Sequence, residues 1–151
     1  RGPWAVMFYG EHEHAIDRKG RVVIPSKFRQ QLRAHAIERL FLTRGLDGCL
    51  FLFPEAEWRA LETEFQRISF TRSDGRQFNR MLFSGAVEVK PDGLGRVLIP
   101  KSLKEFAQIK EDVMMVGVSS RIELWAKEKW QEFYNTSRQH FEDVAEKVLP
   151  P

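Results

Sequence analysis

Asp17-Arg18-Lys19-Gly20-Arg21-Val22-Val23-Ile24-Pro25 is answered, 75 residues later, by Asp92-Gly93-Leu94-Gly95-Arg96-Val97-Leu98-Ile99-Pro100. Both stretches fit D-x-x-G-R-hydrophobic-hydrophobic-Ile-Pro. A duplicated segment redefines the folding unit, so it comes before any other motif. The likeness extends outward. Leu50-Phe51-Leu52-Phe53 with Trp58 matches Ile122-Glu123-Leu124-Trp125 with Trp130, now at an offset of 72. The second copy is therefore three residues shorter between its two blocks, a difference assigned to a loop. Two copies are too few for a solenoid, where units stack in series. They suit a pseudo-symmetric pair around one core.

Each copy has the same succession of local signals. Asp17 to Gly20 is turn-like, because Asp bonds nearby backbone and Gly tolerates positive φ. A weak strand, Glu11–Ile16, precedes it and the β-branched run Arg21–Ile24 follows as a second strand. Pro25 stops that strand and suits the first position of a helix, along which Phe28, Leu32 and Ala36 recur at helical spacing. Leu40–Thr43 and Cys49–Phe53 read as strands around the turn Gly45 to Gly48. Pro54 opens a helix with an apolar stripe at Trp58, Leu61, Phe65 and Ile68. In the second copy the strands are Ala86–Lys90, Arg96–Ile99, Val113–Val118 and Ile122–Trp125. Pro100 starts a helix with Leu103, Phe106 and Ala107 inward. A last helix carries Trp130, Phe133, Tyr134, Phe141, Val144 and Val148. Phe78, Met81 and Leu82 mark a short connecting helix. The class is α+β. Four short strands bury too little alone, whereas two copies combining would cover each other's sheet edges.

The domain expectation is residues 1–6 as a leader added ahead of a start at Met7, 7–58 as the first copy, 59–85 as a helical connection, 86–130 as the second copy, and 131–151 as a C-terminal helix and tail. At 151 residues, with 42% hydrophobic and 30% charged, the composition is that of a globular protein. No apolar run approaches a membrane span. A single cysteine, Cys49, excludes a disulfide framework and points to a reducing cytoplasm. Net charge is only +3, but it is unevenly placed. Asp17 to Arg33 holds six cations against one anion, and Lys90 to Lys104 holds four against one. Glu55 to Glu64 holds four acids against Arg59. Positive charge collected on both copies of the motif suits a polyanion.

The motif has its own chemistry. Asp17 and Arg21, like Asp92 and Arg96, flank one turn at a spacing that lets the carboxylate reach the guanidinium. Such a charge-assisted pair fixes the turn and aims the arginine. A held arginine suits phosphate contact or bidentate contact with guanine. Other constellations weigh less. His12 and His14 alternate on a strand, but two histidines do not complete a zinc site, and a surface strand is the better reading. Cys49 sits among apolar residues, as a small buried side chain rather than a nucleophile. Trp58 and Trp130 read as core or interface anchors. The G-x-S-x-G, P-loop, G-x-G-x-x-G and H-E-x-x-H patterns are missing from the sequence. Asp17 and Asp92 as an acid–base dyad is disfavoured, because each adjacent arginine keeps its carboxylate ionised. No enzyme activity, cofactor or metal is expected.

The residues Met7-Phe8-x-Gly10-Glu11-His12-x-His14-x-x-Asp17-x-Lys19-Gly20-Arg21-x-x-Ile24-Pro25-x-x-Phe28-Arg29 resemble the opening of the MraZ proteins. So do Leu42 to Leu50, Phe83-Ser84-Gly85-Ala86 and Gly95-Arg96-x-x-Ile99-Pro100. The resemblance covers Met7 to the last helix. It implies two swapped-hairpin units of SpoVT-AbrB type, forming one pseudo-two-fold β-barrel-like core with peripheral helices. It implies a bacterial transcriptional regulator of the cytoplasm and nucleoid. Such a protein assembles into homo-oligomeric rings and binds G-rich direct repeats in double-stranded DNA, in the promoter of the division and cell-wall gene cluster, with repression as the expected outcome. DNA contact transfers to Arg18, Lys19, Arg21 and Arg96, with Asp17 and Asp92 bracing. The alternative is an antitoxin-like module that binds a protein as well as DNA. In the second turn Gly93 and Leu94 stand where Arg18 and Lys19 stand in the first, so the first copy is expected to carry more of the DNA contact.

Overall fold

The computed structural model describes residues 5–151. The expected leader therefore lies largely outside the described residues, although Val6 within it is buried in the core. The first copy runs β1 (Phe8–Ala15), β2 (Arg21–Val23), α1 (Ser26–Ala34), β3 (Leu40–Arg44), β4 (Leu50–Pro54) and α2 (Glu55–Phe65). Then α3 (Ser73–Ser84) connects it to β5 (Val87–Val89), β6 (Arg96–Leu98), α4 (Lys101–Phe106), β7 (Asp112–Ser119), β8 (Arg121–Ala126) and α5 (Lys127–Val148). Pro25, Pro54 and Pro100 each sit at the N-cap, one position earlier than expected, with φ between −59° and −51° and ψ between 143° and 151°. The ring fixes φ near this value, so each proline ends a strand in extended backbone and hands the chain to a helix.

The two copies exchange strands. One antiparallel sheet has the order β1-β7-β8-β4-β3-β5, and β2 with β6 forms a separate two-stranded ribbon. The first strand of each copy thus pairs with the third strand of the other. The registers are centred on equivalent residues: Phe51 opposite Glu123 between β4 and β8, and Val22 opposite Val97 between β2 and β6. A pseudo-two-fold axis passes through both pairs. The six-stranded sheet is open, with β1 and β5 at its ends, so the closed barrel-like form expected from the resemblance is not seen.

Alternation along the strands sorts side chains between the two faces. On one face, Leu40, Leu42, Leu52, Met115, Ile122 and Leu124 join Val22, Val97, Phe28 and Leu103 in a core shared by both copies. Burying each such side chain contributes about 1.5–3 kcal/mol, and neither copy could assemble this core alone. On the other face, Phe41 stacks on Trp58 with ring centroids 5.7 Å apart, and Phe65 meets Phe78 edge-on at 5.2 Å, which seats α2 and α3. Thr43, buried, donates its hydroxyl to the Leu82 carbonyl.

Two expectations are corrected here. Ala36 does not lie on α1: the helix ends at Ala34, and Ala36 is left-handed with φ 53°. The Ile37 N–H bonds back to Leu32 O at 2.8 Å, so Ile37, not Ala36, packs on the core. The second copy repeats this Schellman closure, with Gln108 at φ 56° and Ile109 N–H on Lys104 O. These matched caps show where the length difference lies. α1 has nine residues and α4 has six, so the missing three come from the helix and not from a loop. Three residues are close to one helical turn, which leaves cap and core contact facing the same way. Among the described residues no helix is long and apolar enough to cross a membrane.

Candidate nucleic-acid interface

Each turn is organised around its aspartate. Asp17 Oδ1 accepts the N–H groups of Lys19 (2.9 Å) and Arg21 (2.8 Å), and Oδ2 accepts Arg21 Nε–H at 2.8 Å. Asp92 does the same for Leu94 N–H (2.9 Å), Arg96 N–H (2.9 Å) and Arg96 Nε–H (2.8 Å). Gly20 and Gly95 close the turns at φ +86° and +78°, a region other L-residues enter at a cost. The backbone N–H of Arg21, then its side chain, holds the Asp17 carboxyl below the usual carboxylate range, and Arg96 does so for Asp92. Neither carboxylate is suited to carry a shared proton.

The bracing uses only Nε. Neither Nη of Arg21 or Arg96 makes a hydrogen bond among the described residues, so each guanidinium keeps its two-nitrogen edge open. Both arginines stand on the same face of the β2–β6 ribbon. Val22 and Val97 point inward and are buried, so the period of two puts Arg21, Val23, Arg96 and Leu98 on the other face. Arg21 lies opposite Leu98 and Arg96 opposite Val23. The two arginines are therefore diagonal neighbours across the ribbon, within reach of each other's long side chains. Arg18 and Lys19 project, exposed, at one end of the ribbon, and Gly93 and Leu94 occupy the other.

A basic group outside the two motifs also reaches this surface. Arg29 on α1 donates Nε–H to Ile24 O at 2.9 Å. Its side chain lies under Gly95 of the other copy, where an added Cβ would come within 2.6 Å of Arg29 Cδ. Arg29, Arg33 and Lys90 line a cleft of about 400 Å³ beside Pro91, Asp92 and Gly93, with Glu38 at its edge. The sequence shows Arg29 and Arg33 as an i,i+4 basic pair. That they flank the second turn, rather than the first, is decided only by strand exchange.

The remaining candidates are structural. His12 sits edge-on to Phe28 at 5.0 Å, with Nε2 buried and unpartnered. His14 is half-buried, and burial, then His12 and Arg29, lowers its pKa. Both therefore turn toward α1, whereas the sequence suggested a plain surface strand. No cluster of three or more metal-ligating side chains occurs among the described residues. Cys49 is fully buried, bonded to Leu46 O at 3.2 Å, and burial pushes its thiol far up. Trp58 is core, and Trp130 packs on Trp125 while donating Nε1–H to Glu11 at 2.9 Å.

The duplicated turn agrees with a family model described as "MraZ protein, putative antitoxin-like", which matches the chain twice, over residues 7–81 and 82–149. The chain belongs to the MraZ family. A relative from Pelotomaculum thermopropionicum named "Transcriptional regulator MraZ" is 48% identical over 143 residues, covering 95% of this chain and 96% of the relative. The boundary between the two MraZ matches falls inside α3.

Two predictions follow from this geometry in the MraZ chain. Gly95→Ala forces a left-handed alanine against Arg29, and should cost about 1–2 kcal/mol in urea unfolding. Gly93→Ala, with nothing within 4 Å of an added Cβ, should cost little. Equal losses would count against the packing described. The second concerns acid. A carboxylate whose folded pKa is depressed stabilises the fold above its unfolded pKa, and that contribution is lost as pH falls through the folded value. The Asp17 and Asp92 pairs should therefore survive below about pH 3.9, the ordinary Asp value. Carboxyl-carbon NMR titration should place both midpoints below it, and midpoints at or above it would refute the bracing.

Proposed function

We propose that this chain is a sequence-specific DNA-binding transcriptional regulator. The β2–β6 ribbon lies against the duplex, and the open edges of Arg21 and Arg96 reach guanine O6 and N7. A two-stranded ribbon is one of the two elements the major groove admits. Arg18 and Lys19 contact phosphates beyond one end of the ribbon, and Arg29, Arg33 and Lys90 supply charge near the other. Asp17 and Asp92 act as positioning residues. The observation that carries this reading is the pair of matched guanidinium groups, pinned through Nε and facing out from one ribbon. The name of the Pelotomaculum relative supports the same class. The exchanged first strands are in keeping with the swapped-hairpin arrangement of the family, with copy boundaries near 58, 86 and 130.

Contact by one small ribbon is weak, so several identical chains in a ring engage direct repeats in the promoter of the division and cell-wall gene cluster and repress it. The protein then works at the nucleoid in the cytoplasm, without a cofactor. The test is a gel shift on the DNA immediately upstream of the gene across a salt series. Sequence-specific retardation should weaken with salt, log K falling by about 0.9 per phosphate neutralised for each unit of log salt. Retardation indifferent to sequence would overturn the reading. A stoichiometric protein captured on the chain, with no promoter binding, would favour the antitoxin-like alternative that the family description names.

A further inference from the structure

The outward face of the β2–β6 ribbon holds more than its two arginines. An antiparallel pair with one face to solvent ordinarily alternates apolar inward and polar outward. Val22 and Val97 are the inward residues, yet two of the four outward ones, Val23 and Leu98, are apolar as well. Val23 is half-buried, whereas Leu98 is 52% exposed. Single exposed leucines are common on protein surfaces and mean little by themselves. This one stands beside an outward-facing guanidinium.

The ladder fixes that neighbourhood. Ile99 N–H bonds to Gly20 O and Ile24 N–H to Gly95 O, each at 2.8 Å. Along an antiparallel ladder, hydrogen-bonded pairs alternate with closer-spaced unbonded ones. Arg21 opposite Leu98, and Arg96 opposite Val23, therefore fall where facing side chains come nearest. The pseudo-two-fold exchanges the two pairs, so each arginine has one apolar companion, but the companions differ. Leu98 leans over the first turn, where a Cβ added at Gly20 would lie 3.6 Å from Leu98 Cδ1. At the second turn the matching place beside Gly95 is taken by Arg29 and not by Val23. One end of the ribbon thus offers a guanidinium beside an exposed isobutyl group. The other offers a guanidinium beside a further cation.

The apolar group that the major groove displays is the 5-methyl of thymine. Covering it with a leucine takes apolar surface on both sides out of water, which is favourable in proportion to the area removed. We propose that Leu98 is a specificity-determining residue that covers the 5-methyl of a thymine adjacent to the guanine held by Arg21. This deepens the proposed function and rests on its placing of the ribbon in the major groove. It also gives the contact a direction. Two identical ends would favour a palindromic site, as two-fold proteins do. Leu98 at one end and Val23 at the other favour a site with distinct ends, the kind that can recur as direct repeats.

Deoxyuridine lacks only the methyl and keeps every hydrogen-bonding group of thymine, so it isolates this contact. The full chain is titrated with a duplex carrying one promoter repeat, each thymine being replaced in turn by deoxyuridine. One replacement should weaken binding about fourfold, the worth of one methyl-sized apolar group taken out of water. In Leu98→Ala, and in Leu98→Ser as a second truncation, that replacement should cost nothing further. Val23→Ala and Leu98→Met should keep the loss. Position 98 is exposed, and circular dichroism checks that each variant folds. A parent indifferent to every replacement overturns the inference, as does a loss that persists in full in the folded truncations. Preference for the repeat over a scrambled duplex, measured alongside, separates the questions. Preference retained without a methyl effect leaves the DNA reading standing and removes Leu98 from it. A parent with no preference at all refutes the DNA reading itself.

Discussion

Inserting about five base pairs, half a helical turn, between neighbouring promoter repeats is expected to weaken binding of the assembled protein by roughly 100- to 10,000-fold, the range over which linked sites exceed single ones. One ribbon offers two guanidinium edges and a few cations. That inventory supports only a modest, salt-sensitive affinity. Tight binding then depends on a second subunit finding its repeat at high effective concentration. Repeats about 10–10.5 base pairs apart show the same groove face to successive subunits. Half a turn rotates one repeat to the far side of the duplex, and a full turn restores it. Gel shifts with five and with ten added base pairs should therefore diverge sharply. Equal affinity for both, unchanged from the natural spacing, would dismiss multivalent binding and leave single-subunit contact as the source of affinity.

Arg21→Ala and Arg96→Ala are expected to weaken binding to a single repeat by about 1–3 kcal/mol each, the discrimination of one bidentate arginine–guanine contact, or on the order of ten- to a hundredfold. The double substitution should erase preference for the repeat over scrambled DNA. The two losses should differ, with Arg21→Ala the larger. The first turn presents the exposed Arg18 and Lys19, where the second offers Gly93 and the exposed Leu94. Arg29, Arg33 and Lys90 beside the second turn narrow this gap, so Arg33→Ala should lower the salt slope while sparing sequence preference. Arg18→Ala should behave likewise. Equal losses at Arg21 and Arg96 would argue for a symmetric footprint. A properly folded double variant that still prefers its repeat would remove the central assignment.

Much of the site is legible along the chain because its interactions are local. Asp17 reaches Lys19 and Arg21 within four residues, and Gly20 sits where the turn needs positive φ. A spacing alone carries that information, and the repeat at Asp92 confirms it. The helix starts at Pro25, Pro54 and Pro100 are equally local, since ring sterics act on neighbouring atoms. Where the short-range signal is ambiguous, the reading slips. Ala36 continues a helical pattern, yet the chain turns left-handed there so that Ile37 can enter the core. The three residues missing from the second copy leave no mark that distinguishes helix from loop.

By itself, the order of residues determined that this protein is built twice over and that each half presents an aspartate-braced arginine. Those features follow from contacts between near neighbours and from the periods of strand and helix. Only the tertiary structure decided that the halves trade their first strands, that Arg21 and Arg96 share one face, and that Arg29 supports the turn of the opposite half. Each of these joins residues far apart in the chain, where pairing is chosen by burial of the whole sheet and no local pattern encodes the partner.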